Sequence, residues 1–199
     1  MNYKIVKEVT DFTLALIVFV AFFCFFLLIS LAIILDSKGP VLFKQKRIGL
    51  DKSNFLLYKF RTMKRDAPKD TPTHVLINPA FHITKIGKIL RKTSLDELPQ
   101  LWNILMGDIS IIGPRPALWN QFDLISERDK YGANNIKPGL TGWAQINGRD
   151  ELGIVEKAKL DGEYTKKIGP LIDVKCFLGT ILKVFLADGI VEGKQTNKS

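Results

Sequence analysis

Metal-binding side chains are scarce: the 199-residue chain has two cysteines and two histidines. Cys24 and Cys176 stand far apart in apolar runs. They offer neither thiolate zinc spacing nor a disulfide framework, which suits a reducing compartment. His74 and His82 alone argue against a histidine zinc site. Acidic charge is also the scarcer sign, 20 Asp and Glu against 29 Lys and Arg, for a formal net charge of +9. That balance turns the chain toward anionic partners such as nucleic acid, anionic lipid or a phosphorylated substrate. Internal repeats are missing, as are the P-loop and dinucleotide glycine fingerprints.

One long segment lacks charge, glycine and proline altogether. Phe12 to Leu35 reads FTLALIVFVAFFCFFLLISLAIIL, with Thr13 and Ser30 its only polar residues. As helix it would extend roughly 36 Å, against about 30 Å of hydrocarbon. A signal-peptide core is shorter and is followed by a small-residue cleavage site. A soluble domain of this size could hardly cover such a helix on every side. The segment is therefore predicted to enter a membrane. Lys38, Lys44, Lys46, Arg47 and Lys52 follow it, placing the remainder on the cytosolic side. Lys4 and Lys7 precede it, so charge alone leaves a spanning and a re-entrant helix both open.

The expected architecture is α+β and mostly helical. It comprises a membrane helix over 1–36, a cytosolic membrane-associated domain over 37–190 and a disordered tail over 191–199. Val41–Phe43 and Phe55–Phe60, around Gly49-Leu50-Asp51-Lys52, predict a small β-hairpin. A polar, proline-containing loop is expected over 64–80, and a short basic amphipathic helix over 82–92, suited to a membrane surface. Helical spacing recurs through Leu95, Leu98, Leu101, Trp102 and Leu105 up to Gly107. Further helices are expected over 117–130, 152–167 and 174–186. The last would pack on the core or lie at the interface. NNIKPGLTGWAQINGRD reads as irregular and glycine-rich.

Three motifs carry candidate chemistry. The adjacent acids Asp96 and Glu97 open a helix in SLDELPQLW. Ser94 and Glu97 fit a capping box, and Asp96 would serve equally as N-cap ahead of Pro99. A helix start also offers free N–H groups and partial positive charge for a carboxylate or a phosphate. Neighbouring helical positions diverge by about 100°, so two adjacent acids address different atoms. In Gly113-Pro114-Arg115-Pro116, two prolines fix the backbone around Arg115. The reading is a simple turn with a solvated arginine or a pre-ordered guanidinium for phosphate. KPGLTGWAQINGR, Lys137 to Arg149, is a backbone-rich loop of the kind that can present N–H groups to phosphate.

Taken with YKFRTM (Tyr58 to Met63) and LDGEYTKK, these segments resemble the bacterial sugar transferases, the monotopic phosphoglycosyl transferases that start lipid-linked glycan assembly. The resemblance runs nearly end to end and is similar to the minimal catalytic form. It implies transfer of a phosphosugar from a nucleoside diphosphate sugar, usually a UDP-sugar, to polyprenyl phosphate, releasing UMP. The family's acidic dyad maps to Asp96 and Glu97. Asp96 would attack the β-phosphorus and carry the phosphosugar covalently, and would be associated with the Mg²⁺ that the family requires. Arg91, Arg115, Arg149 and Lys59 are the implied phosphate-binding cations. Asp161 and Tyr164 match the family's LD..Y segment and are expected to face the donor nucleotide. Implied surroundings are the cytosolic face of the bacterial inner membrane, the bilayer, and downstream glycosyltransferases, with no role for nucleic acid. Family members carry a Ser-Pro pair that kinks the membrane helix into re-entrance. Here that place reads Phe23-Cys24 within AFFCFFLL, so the usual cause of a sharp kink is missing. The basic Lys4 and Lys7 still favour re-entrance, with Asp11 at the interface.

Two rivals stand beside this reading. A non-catalytic, membrane-anchored basic module for anionic lipid or nucleic acid explains the charge but not acids beside fixed arginines. A lipid diphosphate phosphohydrolase shares the phosphate site but releases inorganic phosphate rather than UMP.

Overall fold

The computed structural model describes residues 3–68, 82–148 and 151–186. The expectations for Arg149, the tail 191–199 and most of the 64–80 loop concern residues outside these. The apolar segment forms two helices, α1 (Tyr3–Ala21) and α2 (Phe23–Asp36). Among the described residues no single helix is long and apolar enough to cross a membrane; α1 and α2 together are, bent by 63° at their break.

No proline is needed for this bend. Helical hydrogen bonds continue across it, from Phe22 N–H to Val18 O and from Phe26 N–H to Phe22 O, both at 3.0 Å. The cause lies in packing. Ala15 of α1 is buried with Leu57, Leu101, Ile104 and Ile109, while Ile29 and Ile33 of α2 are buried with Phe60 and Leu90. Phe19 stacks near Trp102 and Phe26 near Phe60. Both halves lay one face on the same body, and a straight rod would give up one of the two contacts.

That body starts with the predicted hairpin, β1 (Leu42–Ile48) antiparallel to β2 (Asn54–Phe60), with a longer first strand than the sequence suggested. Next is α3 (Lys85–Lys92), where Thr84 Oγ1 accepts a 3.0 Å hydrogen bond from Gly87 N–H as the N-cap. A 3₁₀ turn at Leu95–Glu97 leads into α4 (Gln100–Leu105). Asn103, fully buried in α4, binds it to the hairpin. It donates to Leu56 O at 2.8 Å and to Asp108 Oδ2 at 2.9 Å, and accepts from Tyr58 N–H at 3.0 Å.

The glycine-rich stretch is more regular than expected. Strand β3 (Ser110–Ile112) precedes α5 (Phe122–Asp129), which begins later than predicted, and β3 pairs in parallel with β4 (Gly139–Thr141). Helix α6 (Trp143–Ile146) follows, then α7 (Ile154–Lys167) and α8 (Pro170–Leu186). Ile112, Tyr164, Ile172 and Cys176 form the core joining β3, α7 and α8. The glycines serve this pairing. A Cβ on Gly139 would meet Gly113 N at 2.1 Å, and one on Gly142 would meet Gly113 O at 2.1 Å. Gly139 N–H bonds Pro114 O at 2.9 Å and Gly113 N–H bonds Thr141 O at 2.8 Å. The idea that the Lys137–Arg149 loop offers its N–H groups to phosphate is corrected at Gly139, whose N–H is taken by Pro114 O.

The N-terminus of α1 is tied down. Lys7 Nζ lies 2.7 Å from Asp173 Oδ2 of α8, and Tyr3 OH donates to the same oxygen at 2.7 Å. Lys137 pairs with Glu8 at 3.2 Å, and Ser110 Oγ donates to Asp11 Oδ2. Asp11, expected at the interface, is buried against the protein. At the far end, Arg61 Nη2 caps α2 by donating to Ser37 O at 2.6 Å and to Ile33 O at 3.3 Å. Outward-facing α1, α2 and α8 remain apolar, with Val9, Ile17, Val20, Leu28, Leu35 and Leu171 all exposed.

Candidate active site

Asp96 and Glu97 do not cap a helix. Ser94 adopts φ 55°, a left-handed turn, and makes no side-chain cap; α4 begins only after Pro99, also without a side-chain cap. Both capping readings are corrected for the same reason: the left-handed residue turns the chain before α4 starts and presents the acids to the hairpin. Glu97 Oε1 accepts from Lys59 Nζ of β2 at 2.7 Å and from Arg115 Nη2 of the Gly-Pro-Arg-Pro turn. Lys59 Nζ lies 3.7 Å from Asp96 Oδ2. Strand alternation in YKFRTM does the placing: Phe60 enters the core while Lys59 faces the acids.

The two carboxyls are pushed apart electrostatically. Burial alone would raise Glu97, but Arg115 and Lys59 override it and hold the carboxyl well below the usual range. Burial pushes Asp96 up; Lys59, Arg91 and Arg115 oppose it, and the Glu97 charge adds to it. Asp96 is 8% exposed, and among the described residues its carboxylate accepts no hydrogen bond within bonding distance. Its oxygens are the less tightly held donors of the cluster, with Oδ2 ion-paired to Lys59 Nζ at 3.7 Å. Glu97 by contrast is a fixed anion gathering two cations, a poor candidate for proton abstraction.

Those donors fit a magnesium ion. Mg²⁺ takes hard oxygen ligands, commonly one or two carboxylates completed by waters and substrate phosphates. No group of three or more His, Cys, Asp or Glu side chains that could hold a metal occurs among the described residues; Asp96 would be the carboxylate to contribute.

The other sequence candidates separate clearly. Arg91, in the last turn of α3, acts on Asp96 through its charge. Asp161 and Tyr164 are engaged by protein partners. Asp161 is 1% exposed and its Oδ2 takes both Nε (2.8 Å) and Nη2 (2.6 Å) of Arg128. Tyr164 is equally buried, its hydroxyl 2.7 Å from Asp173 Oδ1 and 3.1 Å from Ile112 O. Against the expectation that they face the donor nucleotide, their side chains have structural partners here: one anchors a buried arginine, the other the α7–α8 core. Arg128 and Arg47 escaped the sequence reading. Arg128 Nη2 donates to Arg115 O at 3.0 Å and Arg47 Nη1 to Pro116 O at 2.9 Å. No local motif announces either; Arg128 sits in the polar stretch Ser126-Glu127-Arg128-Asp129-Lys130, which reads as an exposed face.

Comparison with known proteins places this arrangement. The family model described as bacterial sugar transferase matches residues 2–187. The uncharacterized sugar transferase EpsL of Bacillus subtilis (strain 168) is 39% identical over 97% of this chain and 92% of its own length. The UDP-glucose:undecaprenyl-phosphate glucose-1-phosphate transferase of Caulobacter vibrioides is 37% identical over 92% of this chain and 70% of its own length. Its namesake in Escherichia coli (strain K12) is 36% identical over 92% of this chain, which spans only 41% of that protein. With acids, cations and fixed turn drawn from segments that the match covers in full, the chain belongs to the bacterial sugar transferase family.

Proposed function

We propose that the protein transfers a hexose 1-phosphate from a UDP-hexose to a polyprenyl phosphate at the cytosolic face of the bacterial inner membrane. The relatives named for that reaction with UDP-glucose and undecaprenyl phosphate support the substrate class. The observation that carries the chemistry is the Asp96 carboxylate set 3.7 Å from Lys59 Nζ, beside the tighter Glu97–Lys59–Arg115 cluster.

Asp96, ionised, attacks the phosphorus that bears the sugar. The bond from that phosphorus to the bridging oxygen breaks, and UMP leaves with the electron pair. An aspartyl acyl-phosphate then carries the hexose. A lipid phosphate oxygen attacks the same phosphorus and expels the Asp96 carboxylate, giving polyprenyl diphosphate hexose. Every participant is anionic, so neutralisation governs the barrier. Lys59 and Arg115, held in place by Glu97, stand where the diphosphate charge would lie, with Arg91 across from them. Asp96 and the donor diphosphate would hold Mg²⁺, which supplies further charge neutralisation. No general base is required, because a phosphate monoester has its second pKa near 6 and is already ionised. Covalent capture lets one small site serve two bulky substrates in turn.

The membrane disposition is read as re-entrant. Both ends of the α1–α2 pair bond to the same body, Lys7 and Tyr3 through Asp173, Ser37 through Arg61, and a spanning helix would part them. The test of function is incubation with UDP-glucose and other UDP-hexoses, Mg²⁺ and undecaprenyl phosphate. UMP is expected; inorganic phosphate instead would favour a phosphohydrolase, and no turnover with any donor would favour a binding module.

A further inference from the structure

Arg115 has its guanidinium on Glu97, but its backbone is held with equal care. Four successive carbonyls around it each accept a bond, the donors coming from β1, β4 and α5. Gly139 N–H of β4 bonds Pro114 O at 2.9 Å, and Ile48 N–H of β1 bonds Ala117 O at 3.0 Å. The two carbonyls between them are taken by side chains, Arg115 O by Arg128 and Pro116 O by Arg47. Each of these arginines is itself anchored from behind. Arg128, 4% exposed, is bound by Asp161 of α7 through both Nε and Nη2. Arg47 is bound by Gln45 of its own strand, Nε to Oε1 at 3.1 Å.

Burying the Arg128 guanidinium and half-burying that of Arg47 to hold a turn is costly in stability, since such groups need pairing. A turn that only linked β3 to α5 would be served by water or by backbone partners. These carbonyls belong to Arg115 and the residues flanking it, and the Arg115 side chain bonds Glu97 of the acidic pair. We propose that Arg128, anchored by Asp161, and Arg47 are positioning residues for Arg115: they fix its Cα so that the guanidinium is already aligned for the donor diphosphate when UMP departs. The inference rests on the phosphosugar-transfer reading above.

A lysine at either position keeps the charge but reaches only as a point donor. It cannot hold its anchor and the turn carbonyl at once with planar geometry. Misplacement of a charge-stabilising group by about 1 Å costs on the order of 100-fold in rate. Arg128→Lys and Arg47→Lys are therefore expected to lower kcat for UMP release by about 10–100-fold. KM for UDP-glucose should change little. The discriminating measurement is a double-mutant cycle with Arg115→Met. Acting through Arg115, Arg128→Lys should cost less than about threefold once Arg115 is gone. A merely structural role would give the same loss in both backgrounds and would overturn the inference, as would an unchanged kcat in both lysine variants. Should Arg128→Lys unfold, Arg47→Lys decides by the same criterion, because its anchor lies outside the Asp161 pair. Wild-type protein that yields no UMP from any UDP-hexose defeats the transfer reading and this inference together. UMP from wild type with an additive cycle defeats the inference alone.

Discussion

Lys7 and Lys175 carry the same charge, but the structure gives them different work. Lys7 is nearly enclosed, its ammonium 2.7 Å from Asp173 Oδ2 and 3.7 Å from Asp11 Oδ2. Lys175, two residues beyond Asp173, is exposed on α8. Replacing either by methionine removes one positive charge near the N-terminal arm. Breaking a buried pair costs about 3–5 kcal/mol because the remaining charge is stranded. At roughly 2–4 °C per kcal/mol for a protein of this size, Lys7→Met should lower Tm by about 6–20 °C. An exposed lysine substitution falls within about 0.5 kcal/mol, so Lys175→Met should move Tm by about 2 °C at most. The assay is thermal unfolding in lipid nanodiscs, followed by tryptophan fluorescence. Equal small shifts in both variants would refute the claim that burial at Asp173, rather than local charge, holds the N-terminus on the body.

Three further outcomes follow from the same contacts. Burial raises the Asp96 carboxyl, so its ionised form costs stability above the folded pKa; Asp96→Asn should abolish UMP release yet raise Tm at pH 8, the gain shrinking as pH falls. A lower Tm at pH 8 would contradict this. Glu97 has the opposite sign: its pKa is depressed, so its contribution is complete above the unfolded value of about 4.3 and drains away below it. The Tm gap between wild type and Glu97→Gln should therefore be wide at pH 7 and close on acidification; a gap independent of pH would sink that account. Asn103→Leu strands Tyr58 N–H and Leu56 O against an apolar side chain, a loss of about 1–3 kcal/mol for each buried group left unpaired. An unchanged Tm would show that this asparagine does not hold α4 to the hairpin.

Local signals in the sequence were read well and their combination poorly. The hairpin was visible in its alternation and its Gly-Leu-Asp-Lys turn, and the helices over 152–167 and 174–186 in their apolar period. Asp96, Glu97, Lys59 and Arg115 emerged as candidates from motif resemblance, and they do converge. What eluded the sequence was decided by tertiary contact. Ser94 resembles an N-cap, but its left-handed φ of 55° turns the chain instead, and no local pattern announces that conformation. The 63° bend has no proline to announce it, because its cause is two apolar faces seeking one core. Asp161 reads as a site residue in its motif and as a structural anchor once Arg128, 33 positions away, is seen beside it. Parallel pairing of β3 with β4 spans a long crossover, and three-residue strands leave no periodicity to detect.

The most direct test withholds the lipid. Wild-type protein is incubated with UDP-glucose and Mg²⁺ but no polyprenyl phosphate, quenched, digested and examined by mass spectrometry. The account predicts about one UMP per protein and a hexose-phosphate adduct on the peptide containing Asp96, discharged when undecaprenyl phosphate is added. UMP that appears only when both substrates are present, with no adduct on Asp96, would contradict it.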